Sequence, residues 1–233
     1  MVKVFPYTAM IVLHLSISTL LRIYSRLNAS LKQQAETEAQ KKTIELNLLK
    51  AQLNPHFFFN SLNTIYSLSI KKSSKTPEAI LNLADLMRYM LYETNKEMVR
   101  LEQDIFYIEN YIELQKLRLT SNNKVTFKVT GNPQGIMIPP LLFISFVENA
   151  FKYGVMTNGE ISNINIEFTI QDDSIKFNVI NDVNTNAYFR VNDTGLGIKN
   201  AVERIDICFP EKNIFYTKLK NGKFIVELTL FLK

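Results

Sequence analysis

The amino-acid sequence predicts an α+β protein, in which a helical N-terminal half precedes a half where strands alternate with two helices. Three observations predict this class: an uncharged run over residues 4–21, apolar residues at helical spacing up to Leu119, and alternating apolar residues after it. We therefore divide the chain into a membrane helix (1–27), a helical linker and hairpin (28–120) and an α/β domain (121–233).

Composition narrows the classes of function. The 233 residues are 46% hydrophobic and 21% charged, which is enough apolar material for a sizeable core. A single cysteine excludes an intramolecular disulfide, and two histidines exclude a multi-histidine metal centre. The net charge of +5 suits a membrane surface or nucleotide phosphates. Without a basic stripe interleaved with aromatic residues, we expect no direct nucleic-acid partner.

The first segment has the properties of a membrane helix. Its 18 uncharged positions, residues 4–21, are near the lower limit for crossing a bilayer. Arg22, Arg26 and Lys32 follow, which places the C-terminal side in the cytoplasm. A secretory signal or a surface helix is the alternative, because a proline and several polar residues dilute the run. We expect a membrane span, with the catalytic part of the chain cytoplasmic.

Helical patterns continue to Leu119. Residues 28–53 contain no glycine or proline, which favours a helix, and the pattern runs on from Asn54 to Ile70. Thr76 followed by Pro77 predicts a second helix start with threonine as N-cap. Two apolar stripes follow, made of Ile80, Leu83, Met87 with Met90 or Leu91, and of Leu101, Ile105, Ile108, Ile112 and Leu119. They predict an antiparallel hairpin that pairs with a second copy.

The last 113 positions alternate instead. Predicted strands centre on Val125–Val129, Ile164–Ile170, Ile175–Val179, Phe215–Leu219 and Phe224–Leu232. Asn221–Gly222 is the strongest hairpin signal in the chain. Two helices interrupt the strands, from Pro140 to Tyr153, ended by Gly154, and from about Gly197 to Phe209, ended by Pro210.

His56 lies in the segment Asn-Pro-His-Phe-Phe-Phe-Asn. A lone histidine in a helix is usually structural. Pro55, however, removes a backbone donor inside the predicted helix, and such breaches of the folding rules are typical of functional sites. A neutral imidazole is also a competent nucleophile towards phosphorus. His56 is therefore a candidate catalytic residue.

A second candidate site lies at the end of the apolar helix that Gly154 terminates. Glu148, Asn149 and Lys152 fall at the rim when the helix packs its phenylalanines on a sheet. A carboxamide oxygen is a suitable ligand for Mg²⁺, which binds few protein oxygens and several phosphate oxygens. The alternative is an ordinary polar helix terminus.

A third candidate site is the segment Gly-Leu-Gly-Ile-Lys-Asn, residues 195–200. Glycines at a helix start let backbone N–H groups approach a phosphate, and the helix dipole favours the anion. The polar stretch over 182–194 is typical of a lid. On this helix we expect Cys208 to be a residue of the protein core. Arg204 fits two roles, support of the lid or support of the fold, and the sequence does not choose between them.

Together, these segments resemble the LytS/YehU-type sensor histidine kinases. The resemblance covers residues 44–233 and is carried by NPHFFFN, PPLLFISFVENAFKYG and GLGIKNAVERI, with VRLEQDIFYIENYIELQKLRL between the first two. Three motifs in the same order are far more specific than one. The resemblance implies a dimerising phosphoacceptor hairpin joined to a GHKL-type α/β sandwich that binds ATP.

The resemblance also implies roles for individual residues. His56 would accept the γ-phosphoryl group and Asn149 would ligate Mg²⁺. Glu148 would act as an acid–base or water-positioning group, with Lys152 near the phosphates. The nucleotide-binding residues would be Asn149, Lys152, Asn181, Gly195, Gly197 and Asn200.

One departure from the family pattern concerns adenine. Related ATPases carry Asp-x-Gly-x-Gly at the end of a central strand, but here that strand leads to Asn181 with no glycine before Gly195. The Asn181 side-chain oxygen can accept a hydrogen bond from an adenine amine, so we assign it this role. Asp193 is the alternative, because residues 193–197 spell the pattern after the lid.

The implied function is that of a membrane-tethered, homodimeric sensor histidine kinase that uses ATP and Mg²⁺. Its partner would be a response regulator, as the resemblance suggests of LytTR type, whose aspartate receives the phosphoryl group. Family members usually carry several spans or a sensor domain upstream, so we expect a fragment or a reduced sensor. The alternatives are a nucleotide-binding signalling scaffold, and an ATPase or protein kinase in which His56 is structural.

Overall fold

The structure is a computed structural model that describes residues 55–155, 161–183 and 196–232, with residues 17–19, 21–22, 24–28, 31–34 and 37 nearer the N-terminus. The chain divides into two compact units, Met1–Asn54 and Pro55–Lys233. Because no break separates the second unit further, the domain boundary at residue 121 remains a prediction.

In the first unit the described residues are helical and mostly exposed. No helix among the described residues is long and apolar enough to cross a bilayer. Much of the predicted membrane helix over 1–27 lies outside those residues. So do most of the helix over 28–53, all but the first two positions of the predicted lid over 182–194, and Gly195.

Three helices open the second unit: α1 (Pro55–Ile70), α2 (Thr76–Tyr92) and α3 (Leu101–Lys116). The predicted end of the first helical pattern at Ile70 is confirmed. The N-cap prediction at Thr76 is wrong, because Lys75 is the N-cap and makes no side-chain capping bond. The Thr76 hydroxyl instead donates to the Ser73 carbonyl. Leu119 lies beyond the end of α3, which ends at Lys116.

Helix α2 has two apolar faces, where the sequence predicted one stripe. Its inner face is buried within the chain, whereas Ile80, Met87 and Leu91 are exposed. The inner face consists of Ala79, Leu83, Leu86, Tyr89 and Met90. It packs on α3, whose predicted stripe of Leu101, Ile105, Ile108 and Ile112 is buried.

The C-terminal part is a five-stranded mixed sheet in the order β2-β4-β5-β7-β6. Its strands are β2 (Asn123–Thr130), β4 (Ser162–Ile170), β5 (Ser174–Asp182), β6 (Asn213–Lys220) and β7 (Lys223–Phe231). The β2–β4 pair is parallel and the other pairs are antiparallel. Asn221 and Gly222 have φ of 52° and 70°, as a two-residue hairpin turn with both central residues left-handed requires.

Two short strands and two helices complete the unit: β1 (Val99–Arg100), β3 (Met137–Ile138), α4 (Ile144–Gly154) and α5 (Leu196–Cys208). The first strand pairs antiparallel with β3, and α4 packs on β4, β5 and α5. The core under α4 is largely aromatic. Phe143 lies 5.0 Å from Phe168 and 4.9 Å from Phe177 between ring centroids.

Two predictions in this region are wrong. Helix α4 begins at Ile144, not at Pro140, because the backbone first makes a turn in which Leu141 has a φ of 57°. Cys208 is exposed, not in the core: it is the last residue of α5, whose buried apolar residues are Ala201 and Ile205.

Candidate active site

His56 is exposed in the first turn of α1. The Asn60 amide nitrogen, one helical turn further on, lies 3.0 Å from the His56 Nε2 and 3.2 Å from Nδ1. An amide N–H can donate to an imidazole nitrogen only when that nitrogen carries no proton. The tautomer of His56 sets which of its nitrogens accepts here, and a ring nitrogen that carries a free lone pair is the nucleophilic one.

Phe57, the residue after His56, has the opposite environment. Its side chain is only 6% exposed and stacks on Tyr111 of α3, with ring centroids 4.7 Å apart and planes at 27°. The Tyr111 ring in turn meets the edge of Phe151 of α4 at 5.8 Å. We call Phe57, Tyr111 and Phe151 the aromatic bridge. It links the start of α1 to α4, with each ring contact contributing about 1 kcal/mol beyond its burial.

Helix α4 carries three of the candidate residues. Lys152 is exposed, with Nζ 5.0 Å from the centroid of the Tyr153 ring, whereas Glu148 and Asn149 are half-buried. The Asn149 side chain makes no hydrogen bond within the part of the chain that the structure describes. Burial raises the pKa of both Tyr107 and Tyr111, and the negative charge of Glu148 raises them further.

Asn181 lies at the end of the central strand β5 and is 1% exposed. Its amide nitrogen donates to the Asp182 carbonyl at 3.1 Å. Its side-chain oxygen is buried with no hydrogen-bond partner among the described residues. An orphaned acceptor in a protein interior costs about 1–3 kcal/mol, so such an atom requires an explanation.

Gly154 explains how α4 comes so close to Asn181. A Cβ added at this glycine would lie 2.8 Å from the Asn181 Cβ, closer than two carbon atoms can pack. Helix α4 ends at Gly154 as predicted, and the φ of this glycine is not positive, so it forms no left-handed cap. The glycine instead permits close packing, and it brings the end of α4 against the end of β5.

The start of α5 carries the remaining candidates. Gly197 and Asn200 are exposed, and a Cβ on Gly197 would meet no atom within 4 Å. The surrounding protein therefore does not require glycine at this position. Gly195 and Asp193 lie outside the described residues, so the choice between Asn181 and Asp193 as the adenine contact remains a prediction.

Asp104 is a site residue that the sequence reasoning missed. It lies on α3, fully buried, and one carboxylate oxygen, Oδ1, accepts two hydrogen bonds of 2.8 Å each. The donors are the Tyr89 hydroxyl on α2 and the Leu141 backbone N–H before α4. The sequence does contain a signal, because Asp104 is a charged residue between Leu101 and Ile108 on the apolar face of α3.

Burial raises the pKa of Asp104 to about 6 from 3.8. The hydrogen bonds from Tyr89 and from Leu141, the charge of Arg204 on α5 and the Phe143 backbone oppose this rise without cancelling it. The folded chain therefore binds this proton more tightly than the unfolded chain does. Stability is consequently lost as the pH rises from about 4 to about 6.

The Asp104→Asn variant tests this pH dependence. Its side-chain oxygen can still accept both hydrogen bonds, but it carries no titrating group. Relative to the variant, we expect the wild-type free energy of unfolding to fall by about 3 kcal/mol between pH ~4 and ~7, then to level off. Urea unfolding of both proteins across this pH range measures the difference in their free energies of unfolding. Parallel stability curves would show that Asp104 does not titrate there.

Comparison with known proteins agrees with these features. A family profile described as Histidine kinase matches residues 44–123. Sensor protein LytS of Staphylococcus saprophyticus is 29% identical over 188 residues, covering 76% of this chain and 32% of that protein. Sensor histidine kinase/phosphatase LytS of Staphylococcus aureus is 31% identical over 166 residues, covering 71% and 26%. The chain thus spans about a third or less of these relatives.

Among solved structures, the histidine kinase domain of a blue-light activated histidine kinase from Erythrobacter litoralis aligns with a TM-score of 0.45 and 10% sequence identity. The alignment covers 76% of this chain and 93% of that domain. The family assignment is based on the sequence relatives and the profile. Residues 44–123 thus match the histidine kinase family, and the chain is similar in sequence to the LytS sensor kinases.

Proposed function

We propose that this chain is the phosphoacceptor and ATP-binding part of a two-component sensor histidine kinase. It would transfer the γ-phosphoryl group of ATP to His56 and then to an aspartate of a response regulator. The proposal is carried by the exposure of His56 next to the buried Phe57. The aromatic bridge connects Phe57 to α4, the helix that bears Asn149. Incubation with γ-labelled ATP tests it: acid-labile label is expected, and its absence favours a nucleotide-binding scaffold.

The proposed chemistry at His56 is an in-line displacement. An unprotonated ring nitrogen forms a bond to the γ-phosphorus as the bond from that phosphorus to the bridging oxygen breaks, and ADP leaves with the electron pair. The Asn60 amide, 3.0 Å from Nε2, can orient the ring before the attack. Because Phe57 is buried, the helix turn that presents His56 has little freedom to rotate. The fixed position of His56 would therefore contribute to the rate of phosphoryl transfer.

The residues of α4 suit the phosphate end of the nucleotide. The Asn149 carboxamide, which makes no hydrogen bond among the described residues, would be the protein ligand of Mg²⁺. The exposed Lys152, three residues further along α4, would neutralise phosphate charge. Bound Mg²⁺ supplies charge neutralisation on the transferring group. Glu148 can serve as an acid–base or water-positioning group. We assign Gly195, Gly197 and Asn200 to the phosphate-facing start of α5.

Asn181 would bind the adenine of ATP, in a domain of the GHKL type. Its buried side-chain oxygen has no protein partner among the described residues, and an adenine amine would supply the missing donor. Gly154 keeps the neighbouring turn of α4 close against this side chain.

The Asn181→Leu variant should separate adenine recognition from the fold. The substitution keeps the branched shape and the number of heavy atoms of the side chain but removes its acceptor and donor, so we expect ATP affinity to fall roughly 10- to 100-fold. Affinity for inorganic triphosphate, which has no adenine, should change less than about 3-fold. Isothermal titration with both ligands measures this. Equal losses for the two ligands, or none, would contradict the assignment and favour Asp193.

A homodimer would bury the outer faces of α1 and α2. Exposed apolar side chains recur along both helices at helical spacing: Phe59, Leu62, Tyr66 and Ile70 on α1, and Ile80, Met87 and Leu91 on α2. Such contiguous apolar surface is typical of interfaces. We expect Leu62→Glu with Met87→Glu to give monomers in sedimentation, with Thr217→Glu, a charge on an exposed polar position of β6, as control. A double variant that stays dimeric would place the interface elsewhere.

Membrane attachment and the regulator type complete the proposal. The uncharged run over residues 4–21 followed by arginines supports a membrane protein with a cytoplasmic catalytic part. Fractionation of cells that express the tagged chain tests this, because recovery in the soluble fraction alone would contradict it. A LytTR-type regulator is the partner to test first, by transfer of label from the phosphorylated chain.

A further inference from the structure

One buried oxygen connects three parts of the second unit. The Asp104 Oδ1 on α3 accepts from the Tyr89 hydroxyl on α2 and from the Leu141 N–H, both at 2.8 Å. Tyr89 lies on α2, which packs against α1, and we call these two helices the His56 hairpin. Leu141 lies three residues before α4.

The segment that receives this contact is held tightly. Leu141 adopts a left-handed φ of 57°, which is unfavourable for a residue with a branched side chain. Leu142 and Phe143 after it are both buried, and Ile138 before it pairs with Val99. Because the residues on both sides of the turn are packed, a displacement of Leu141 would also displace the start of α4.

The contact is also costly for the fold. The second oxygen, Oδ2, is buried without a hydrogen-bond partner among the described residues. An apolar residue in this position would usually stabilise a core more than a partly satisfied carboxylate does. Burial raises the pKa of this group, which is a further sign of that cost. A costly polar group that joins separate elements of the fold is more consistent with function than with stability.

We propose that Asp104 is a positioning residue that couples the His56 hairpin to α4, so that movement of α2 changes the placement of Asn149. The inference rests on the proposed function, which it deepens by naming a route from the hairpin to the ATP site. Asp104 would contact neither ATP nor His56. It would act through Tyr89 on one side and Leu141 on the other.

The Tyr89→Phe variant breaks the coupling at one point. It keeps the ring that packs against Tyr107 at 4.8 Å and removes only the hydroxyl. At saturating ATP we expect the rate of His56 phosphorylation to fall about 10-fold, with ATP affinity within about 2-fold of wild type. Tyr92→Phe is the matched control, because it removes an exposed hydroxyl from the same helix. Asp104→Asn, which keeps the acceptor oxygen, should retain most of the rate.

A second readout needs no activity. Spin labels on Cys208, the only cysteine, and on a cysteine introduced by Ala84→Cys report the distance from α5 to α2. In chains diluted with unlabelled protein, we expect Tyr89→Phe to broaden the distance distribution and Tyr92→Phe to leave it unchanged.

The outcomes separate the two proposals. A wild-type chain that never labels on His56 overturns the proposed function, while the spin-label distances still report on Asp104. A Tyr89→Phe protein with wild-type rate and distances overturns the coupling. A Tyr89→Phe protein that loses ATP affinity and labelling rate equally also overturns the coupling, because the Tyr89 hydroxyl would then only support the fold.

Discussion

Replacing His56 with glutamine is expected to reduce covalent labelling from γ-labelled ATP by at least ~10³-fold. Glutamine has similar length and can still meet the Asn60 amide, but its side chain offers phosphorus no nucleophilic ring nitrogen. Because His56 is exposed and Phe57 keeps its buried stacking, the fold should be unaffected. ATP affinity should therefore remain within about 2-fold of wild type.

A control on the same helix isolates the imidazole. Asn63→Gln alters an exposed polar residue of α1 two turns from His56 and should label like wild type. If His56→Gln labels normally as well, the chain is an ATPase or a protein kinase of the same fold, and His56 is structural. That alternative remained open from the sequence.

Asn149→Ala should produce the second large effect. Loss of the one protein oxygen assigned to Mg²⁺ removes several kcal/mol of transition-state stabilisation, so we expect the labelling rate to fall ~10²- to 10³-fold. The half-buried Asn149 side chain makes no hydrogen bond within the described residues, so truncation should barely change the unfolding free energy. Rate measurements over a range of Mg²⁺ concentrations, with thermal unfolding in parallel, check both expectations.

The matched control for Asn149 is Asn165→Ala. Asn165 is another half-buried asparagine, on β4, at a position whose neighbours Ile164 and Ile166 face the core instead. It should keep wild-type rates at every Mg²⁺ concentration. An Asn149→Ala protein with full activity and an unchanged Mg²⁺ requirement would mean that the metal is bound elsewhere.

Periodic features were the predictable part of this fold. The alternation Ile164–Ile170 and Ile175–Val179 gave the correct strands because every second side chain enters one aromatic core. Asn221–Gly222 predicted its hairpin because few other residue pairs adopt two consecutive left-handed conformations cheaply. His56 and Asn149 were assigned through motif order, and their roles stay predictions.

Long-range contacts could not be predicted. Pro140 suits a helix start, yet Leu141 turns left-handed because its N–H is held by Asp104, 37 positions away. Phe57 offered no local sign that it would stack on Tyr111. The double-faced character of α2 was missed for a related reason: sequence periodicity marks apolar positions without indicating whether a helix of the same chain or a second copy covers them.

The most direct test of the account is to map the phosphate. The purified chain would be incubated with ATP and Mg²⁺, kept at neutral or alkaline pH, and analysed by fragmentation mass spectrometry together with phosphorus NMR. We expect one phosphoryl group on an imidazole nitrogen of His56, lost on brief acid treatment. Acid-stable phosphate on a hydroxyl side chain, or steady ATP hydrolysis by a chain that is never modified, would contradict it.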